Sequence, residues 1–198
     1  EGTFKNRHGY EMFYQGWRAA QPRAAVVVAH GLAEHGGRYK KLADYLVPRG
    51  YAVYSYDQRG HGRSWGRRCY INKFSEYTDD LDDFIRLVRH ETGARLFLLG
   101  YSMGGTVAAS YAINHQPDIA GLILSSPLMK VGDSVSARDI ALAKILSRLL
   151  PRLGVAPIES GGISRDAAVV QAYVADPLVY RGKITARLGA ELIAQMND

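Results

Sequence analysis

The sequence predicts an open, mostly parallel α/β sheet with helices on both faces and a helical insertion above it. Three observations carry that prediction. Apolar runs at residues 24–29, 52–56, 96–99 and 121–125 lack polar alternation, so they read as strands buried on both faces, as central parallel strands are. Segments of helical periodicity separate these runs, which fits right-handed crossovers. Beyond Pro127 no further β-branched run appears and the sequence reads as mainly helical.

Each element has its own signal. Residues 11–17 alternate Met12, Tyr14 and Gly16 against Phe13 and Gln15, with His8-Gly9 as the turn of an N-terminal hairpin. Tyr39, Leu42, Ala43 and Leu46 share a helix face that Pro48 and Gly50 close. Tyr77, Leu81, Phe84, Ile85 and Val88 mark a helix over 77–91. Asp79, Asp80, Asp82 and Asp83 stand near its start and Arg86, Arg89 and His90 towards its end, as the macrodipole prefers, so the acid run reads as a solvated helix start rather than a metal site. A small-residue helix over 103–114 follows. Leu142, Ile145, Leu146, Leu149 and Leu150 form a later stripe, with Lys144 and Arg148 on another face and Pro151 as its limit. That stripe reads as cap helix packed on the core in preference to a membrane-docking surface. Ser164 is the expected cap of a helix over 166–175, which Asp176-Pro177 ends.

With 47% hydrophobic and 22% charged residues the chain has the balance of a globular protein, which excludes disordered and fibrous classes. No apolar run approaches the roughly 18 to 20 residues of a spanning helix, and a cytoplasmic protein, peripheral to membranes at most, is the expectation. Cys69 is the only cysteine, so neither an intrachain disulfide nor a thiolate metal cluster forms. The net charge of +6 is spread among interspersed acids and bases, without the basic stripe and interleaved aromatics of a nucleic-acid binder. The missing initiator Met and the polar tail suggest trimmed ends.

The chemistry centres on Gly100-Tyr101-Ser102-Met103-Gly104, a G-x-S-x-G pattern between a strand and a helix. There Ser102 occupies the sharp turn of a nucleophile elbow, projecting above the sheet edge with helix amides behind it. Acyl transfer needs two donors for the developing oxyanion. The Met103 N–H supplies one, and the loop after the first central strand makes the Leu32 N–H the second candidate. His30 closes a buried strand and reads as structural, as does the loop from Asp57 to Ser64, whose Arg59 is expected to brace the oxyanion loop. Glu34 and Arg38, four apart, are expected to pair, with the polar end of a substrate pocket as the other role.

Residues 30–39 (HGLAEHGGRY), the loop 57–64 and residues 100–105 together resemble the monoacylglycerol lipase and lysophospholipase branch of the α/β-hydrolase superfamily. Residues 163–173 with Asp176-Pro177-Leu178 resemble that branch's junction from cap to core. The resemblance implies an α/β-hydrolase sheet, Ser102 as nucleophile, Leu32 and Met103 as oxyanion hole, and an acyl tunnel under a cap. It implies a lipid ester substrate, no cofactor and no metal; transient membrane-surface contact through the cap is the second role considered for the stripe from Leu142 to Leu150. The expected division is core over 1–128, cap over 129–180 and a return to the core over 181–198. Tyr101, where the branch usually has His, and Leu32, where some members are smaller, bear on selectivity.

In this fold an acid and then a histidine follow the nucleophile. After Ser102 the only histidine is His115, at the far end of the elbow helix beside Asp118, and neither suits the task. The expectation is an N-terminal portion of a serine ester hydrolase whose later core strands lie beyond the chain. A general carboxylesterase or thioesterase, or a catalytically incomplete module, is the alternative.

Overall fold

A computed structural model describes residues 1–115, 118–132, 136–158 and 160–197. Strands β1 (Gly2–Lys5), β2 (Glu11–Trp17), β3 (Ala24–Ala29), β4 (Tyr51–Tyr56), β5 (Leu96–Tyr101) and β6 (Gly121–Ser125) form one sheet in the order β1-β2-β4-β3-β5-β6. The hairpin is antiparallel and joins β4 antiparallel, whereas β4, β3, β5 and β6 run parallel. Helices α1 (Lys40–Leu46), α2 (Ser75–Thr92) and α3 (Met103–Asn114) are the crossovers.

The strand period of two divides the core. Val26, Val28 and Val53 point to one face, where Ala43, Leu42 and Leu46 of α1 cover them. Ala25, Val27, Tyr54 and Leu98 point to the other, against Leu81, Phe84, Ile85 and Val88 of α2 and Val107 and Tyr111 of α3.

The acid run departs from the sequence reading. Asp80 is fully buried, and accepts from Arg59 Nε at 2.6 Å, Arg59 Nη2 at 2.8 Å and Asn6 Nδ2 at 2.7 Å. Asp82 is also buried, and accepts from Arg7, Arg86 and the Tyr111 hydroxyl. A helix against a sheet hides one face, and these two acids fall on it; paired cations keep such burial tolerable. Burial pushes the Asp80 carboxyl above the usual range, in spite of Arg59 and Asn6. Burial also pushes Asp82 up, but Arg7 and Arg86 outweigh it and hold that carboxyl low. Arg59 therefore ties the loop after β4 to α2, through Asp80 and Glu76, rather than bracing the oxyanion loop. Ligand atoms of Asp82, His115 and Asp118 lie within 4.8 Å of one another, but arginines already pair with both carboxylates, so this is an ion-pair cluster.

Beyond Pro127 the chain is less helical than its periodicity predicts. It holds α4 (Ala137–Leu149), α5 (Ala167–Ala175) and α6 (Ala186–Gln195), and also β7 (Gly154–Pro157) and β8 (Lys183–Thr185), which pair antiparallel. Strands this short carry too few residues for a period to show. Asp166, not Ser164, caps α5: its side chain accepts from the Ala168 N–H, while Ser164 Oγ accepts from the Asp166 N–H. The leucine stripe of α4 is the larger correction. Leu142, Ile145, Leu149 and Leu150 face solvent, and it is Ser147 that is buried, with Arg187 donating to its hydroxyl. From α6, Leu188 and Leu192 enter the main core. No helix among the described residues is long and apolar enough to cross a membrane.

Candidate active site

Ser102 sits where β5 passes into α3, at φ 51° and ψ −122°. A non-glycine residue there is strained, and such strain persists only where the surroundings over-determine it. They do so here. The Ser102 carbonyl accepts from the N–H groups of Gly105 (2.8 Å), Leu128 (3.0 Å) and Thr106 (3.3 Å), and its own N–H donates to the Ser125 carbonyl at 3.2 Å. A side chain at Gly104 would collide with the carbonyl oxygens of Ala29 and His30, so only glycine lets α3 start this close to the end of β3. The Ser102 hydroxyl makes no hydrogen bond among the described residues and opens on a cavity of about 530 Å³.

The opposite wall is the loop after β3. His30 is wholly buried, its Nδ1 on the Gly31 carbonyl at 2.7 Å and its Nε2 accepting from the Gln58 N–H at 2.9 Å. Burial depresses its pKa to about 3, so it is a neutral strut with little basicity, as read from the sequence. His61 matches it: burial first, then the neighbouring His30, takes its pKa to about 3. Glu34 Oε1 accepts from the Gly31 N–H at 2.7 Å, which shapes the turn and leaves Leu32 next in line on the cavity wall. The Leu32 N–H makes no hydrogen bond among the described residues. Met103 is buried as the first residue of α3, where helix geometry provides its N–H no intrahelical acceptor.

Glu34 fills both roles considered for it. It pairs with Arg38 at 2.9 Å and lines the cavity with it. The sequence reading missed a third member, Tyr39, whose hydroxyl donates to Glu34 at 2.8 Å. Burial, reinforced by the Glu34 charge, pushes that phenol far above its usual range. Tyr39 had been assigned to the helix face, and nothing in the spacing distinguishes a phenol that packs from one that also donates. Tyr173 of α5 lies under the Arg38 guanidinium at 4.3 Å, and Pro157, Ile158, Ile163 and Ile184 complete an apolar wall. The two sides are strapped together: His35 Nε2 lies 2.8 Å from Asp176 Oδ2, and the Tyr180 N–H donates to the Ala33 carbonyl at 2.8 Å. Burial raises the Asp176 carboxyl, but His35 and the Leu178 N–H outweigh this and lower it.

Ser102, Leu32, Glu34 and Arg38 thus meet on one cavity, with Met103 behind. No histidine lines it among the described residues. His115 stacks on Tyr111 at the opposite end of α3, about 18 Å along the axis at 1.5 Å per residue.

A mostly parallel sheet with helices on both faces, and a strained serine on a strand-to-helix crest, defines an α/β-hydrolase. Residues 20–198 match the hydrolase family described as serine aminopeptidase, S33. The chain is 37% identical over 196 residues to a monoacylglycerol lipase of Mycolicibacterium smegmatis, covering 98% of this chain and 70% of that protein. It is 34% identical over 191 residues to the human monoglyceride lipase, covering 95% of this chain but 63% of the human protein. The crystal structure of a monoacylglycerol lipase from Paleococcus ferrophilus superposes with a TM-score of 0.83 at 33% identity, over 94% of this chain and 70% of that one. The chain belongs to this family, in the monoacylglycerol lipase branch of the α/β-hydrolases.

Proposed function

We propose that Ser102 is the nucleophile of a lipid ester hydrolase acting on monoacylglycerol or lysophospholipid esters. The observation that carries this reading is the two-ended cavity at Ser102: an apolar wall of Ile158, Ile163 and Ile184 for an acyl chain, and a polar end of Glu34, Arg38 and Tyr39 for a hydroxylated head group. The Ser102 oxygen attacks the ester carbonyl, and the tetrahedral oxyanion is held by the N–H groups of Leu32 and Met103, each worth about 2.7–4 kcal/mol. Collapse expels the alcohol, leaving an acyl ester on Ser102 that water then cleaves.

The reaction needs a proton acceptor for the serine. His30 and His61 are too weakly basic and His115 too distant, so the reading takes the base and its acid partner from outside these 198 residues. Residues 129–180 serve as the cap and 181–198 as the return to the core. With no base, the chain alone retains at most the residual catalysis of about 10³–10⁴ over water.

Glycerol and p-nitrophenyl esters of rising acyl length, assayed on the polypeptide as its source makes it, test the proposal. The expected result is a preference for long-chain monoesters, abolished in Ser102→Ala. A sharp optimum at the shortest acyl groups points instead to a general esterase, and full activity in Ser102→Ala refutes the nucleophile.

A further inference from the structure

A second cavity, of about 330 Å³, lies between the loop that follows β4 and the turn that follows α4. Its walls include Arg59, Arg67, Arg152, Trp65, Tyr70 and Glu76. None of them takes part in the Ser102 site. We infer that this seam is a binding site for the phosphate group of an anionic phospholipid at a bilayer surface.

The first argument is charge. Arg59 is buried and Asp80 holds its Nε and Nη2, while Nη1 has only the Glu76 carboxylate, 3.2 Å away. Arg67 and Arg152 have no carboxylate partner among the described residues. The Arg67 guanidinium reaches the Arg152 carbonyl at 3.5 Å, and the Arg152 guanidinium stands 5.8 Å from the Tyr70 ring centre. Two unneutralised guanidiniums, one on the core loop and one on the turn after α4, thus share a concave surface. Their planar forks match phosphate oxygens better than any other common anion except a carboxylate.

The second argument decides where the phosphate comes from. Arg152 stands in the run Leu149-Leu150-Pro151-Arg152-Leu153, and all three leucines face solvent, Leu149 being 73% exposed. Trp65 is half exposed and is stacked on Tyr10 with ring centres 3.5 Å apart. A soluble phosphate ester has no use for this rim. A bilayer does: leucines enter the acyl boundary, an indole settles at head-group depth, and arginines draw in anionic head groups. The inference is independent of the catalytic role of Ser102, because its readout is binding.

Co-sedimentation of the polypeptide, as its source makes it, with phosphatidylcholine vesicles tests it. One set carries phosphatidic acid; the other carries cholesteryl hemisuccinate, a carboxylate, at matched surface charge. The expected result is partitioning about tenfold stronger onto phosphatidic acid. Arg67→Gln with Arg152→Gln brings the ratio to about one, whereas Arg138→Gln with Lys144→Gln, an equal charge loss on α4, leaves it unchanged. Far-ultraviolet circular dichroism confirms that both variants are folded. Equal binding to the two vesicle types, or equal loss of the ratio in both variants, overturns the site. Saturation by glycerol 3-phosphate in solution, seen in arginine Nε–H resonances, with no binding to phosphatidic acid vesicles, overturns the lipid source.

Discussion

The stretch up to Pro127 and the stretch beyond it differ in what they bury. The first buries charged and polar groups against specific partners, Asp80 with Arg59 and Asn6, Asp82 with Arg7 and Tyr111, and His30 with Gln58, while the Tyr56 and Tyr77 hydroxyls and His61 Nε2 are buried with no partner among the described residues. The second leaves large apolar side chains uncovered, among them Leu142, Ile145, Leu149 and Leu150. The sheet fixes a serine in a strained geometry, and that demands an unyielding surround; the stretch beyond Pro127 adds Ile158, Ile163, Tyr173 and Ile184 to the cavity wall. The first stretch also exposes apolar side chains, at Ile113 and along β6 at Leu122, Ile123 and Leu124, so what sets it apart is its buried ion pairs.

The largest expected effect comes from breaking the buried network. Asp80→Ala leaves the buried Arg59 with only the more exposed Glu76 carboxylate and is expected to cost about 3 kcal/mol in urea unfolding. Asp44→Ala, which breaks the exposed pair with Lys40, is expected to cost no more than about 0.5 kcal/mol. Similar losses for the two erase the contrast. Next, Gly104→Ala forces a methyl group against the carbonyls of Ala29 and His30, with an expected loss of about 1–3 kcal/mol by the same assay.

The pH dependence also belongs to the core. His30 and His61 fold as neutral groups at about 3 and recover an ordinary value near 6.5 when unfolded. The unfolded chain then binds more protons, so stability is complete above about pH 6.5 and falls progressively towards pH 3. A urea midpoint that stays flat across that window contradicts their burial.

How far these features could be read in advance follows the same division. Strands β3 and β4 declare themselves because double-sided burial demands unbroken apolar runs, and Ser102 because glycines flank it on a strand-to-helix turn; the same kind of run at β6 misleads about burial, since Leu122, Ile123 and Leu124 lie exposed on the edge strand. The roles of Asp80 and Asp82 were hidden: an acid on a helix looks the same whether water or a distant arginine satisfies it. Arg59 and Arg7, the partners, lie 21 and 75 residues away. Strands β7 and β8 were missed because their pairing is set by chain reversal, with no local period. The exposure of the α4 stripe was misread because an amphipathic pattern names an apolar face without naming what covers it.

Smaller effects sharpen the second half of the comparison. Asp166→Ala removes the cap of α5 and is expected to cost about 1 kcal/mol, with frayed amides at Ala167 and Ala168 in hydrogen exchange. Leu149→Lys is expected to change stability by no more than about 0.5 kcal/mol. A loss above about 2 kcal/mol there means that the leucine is covered in solution.

The most direct test is labelling of the polypeptide, as its source makes it, with a fluorophosphonate that reacts only with an activated serine. One adduct is expected, mapped by mass spectrometry to Ser102 and absent from Ser102→Ala. No adduct, or one on another residue, contradicts a nucleophile at the crest between β5 and α3.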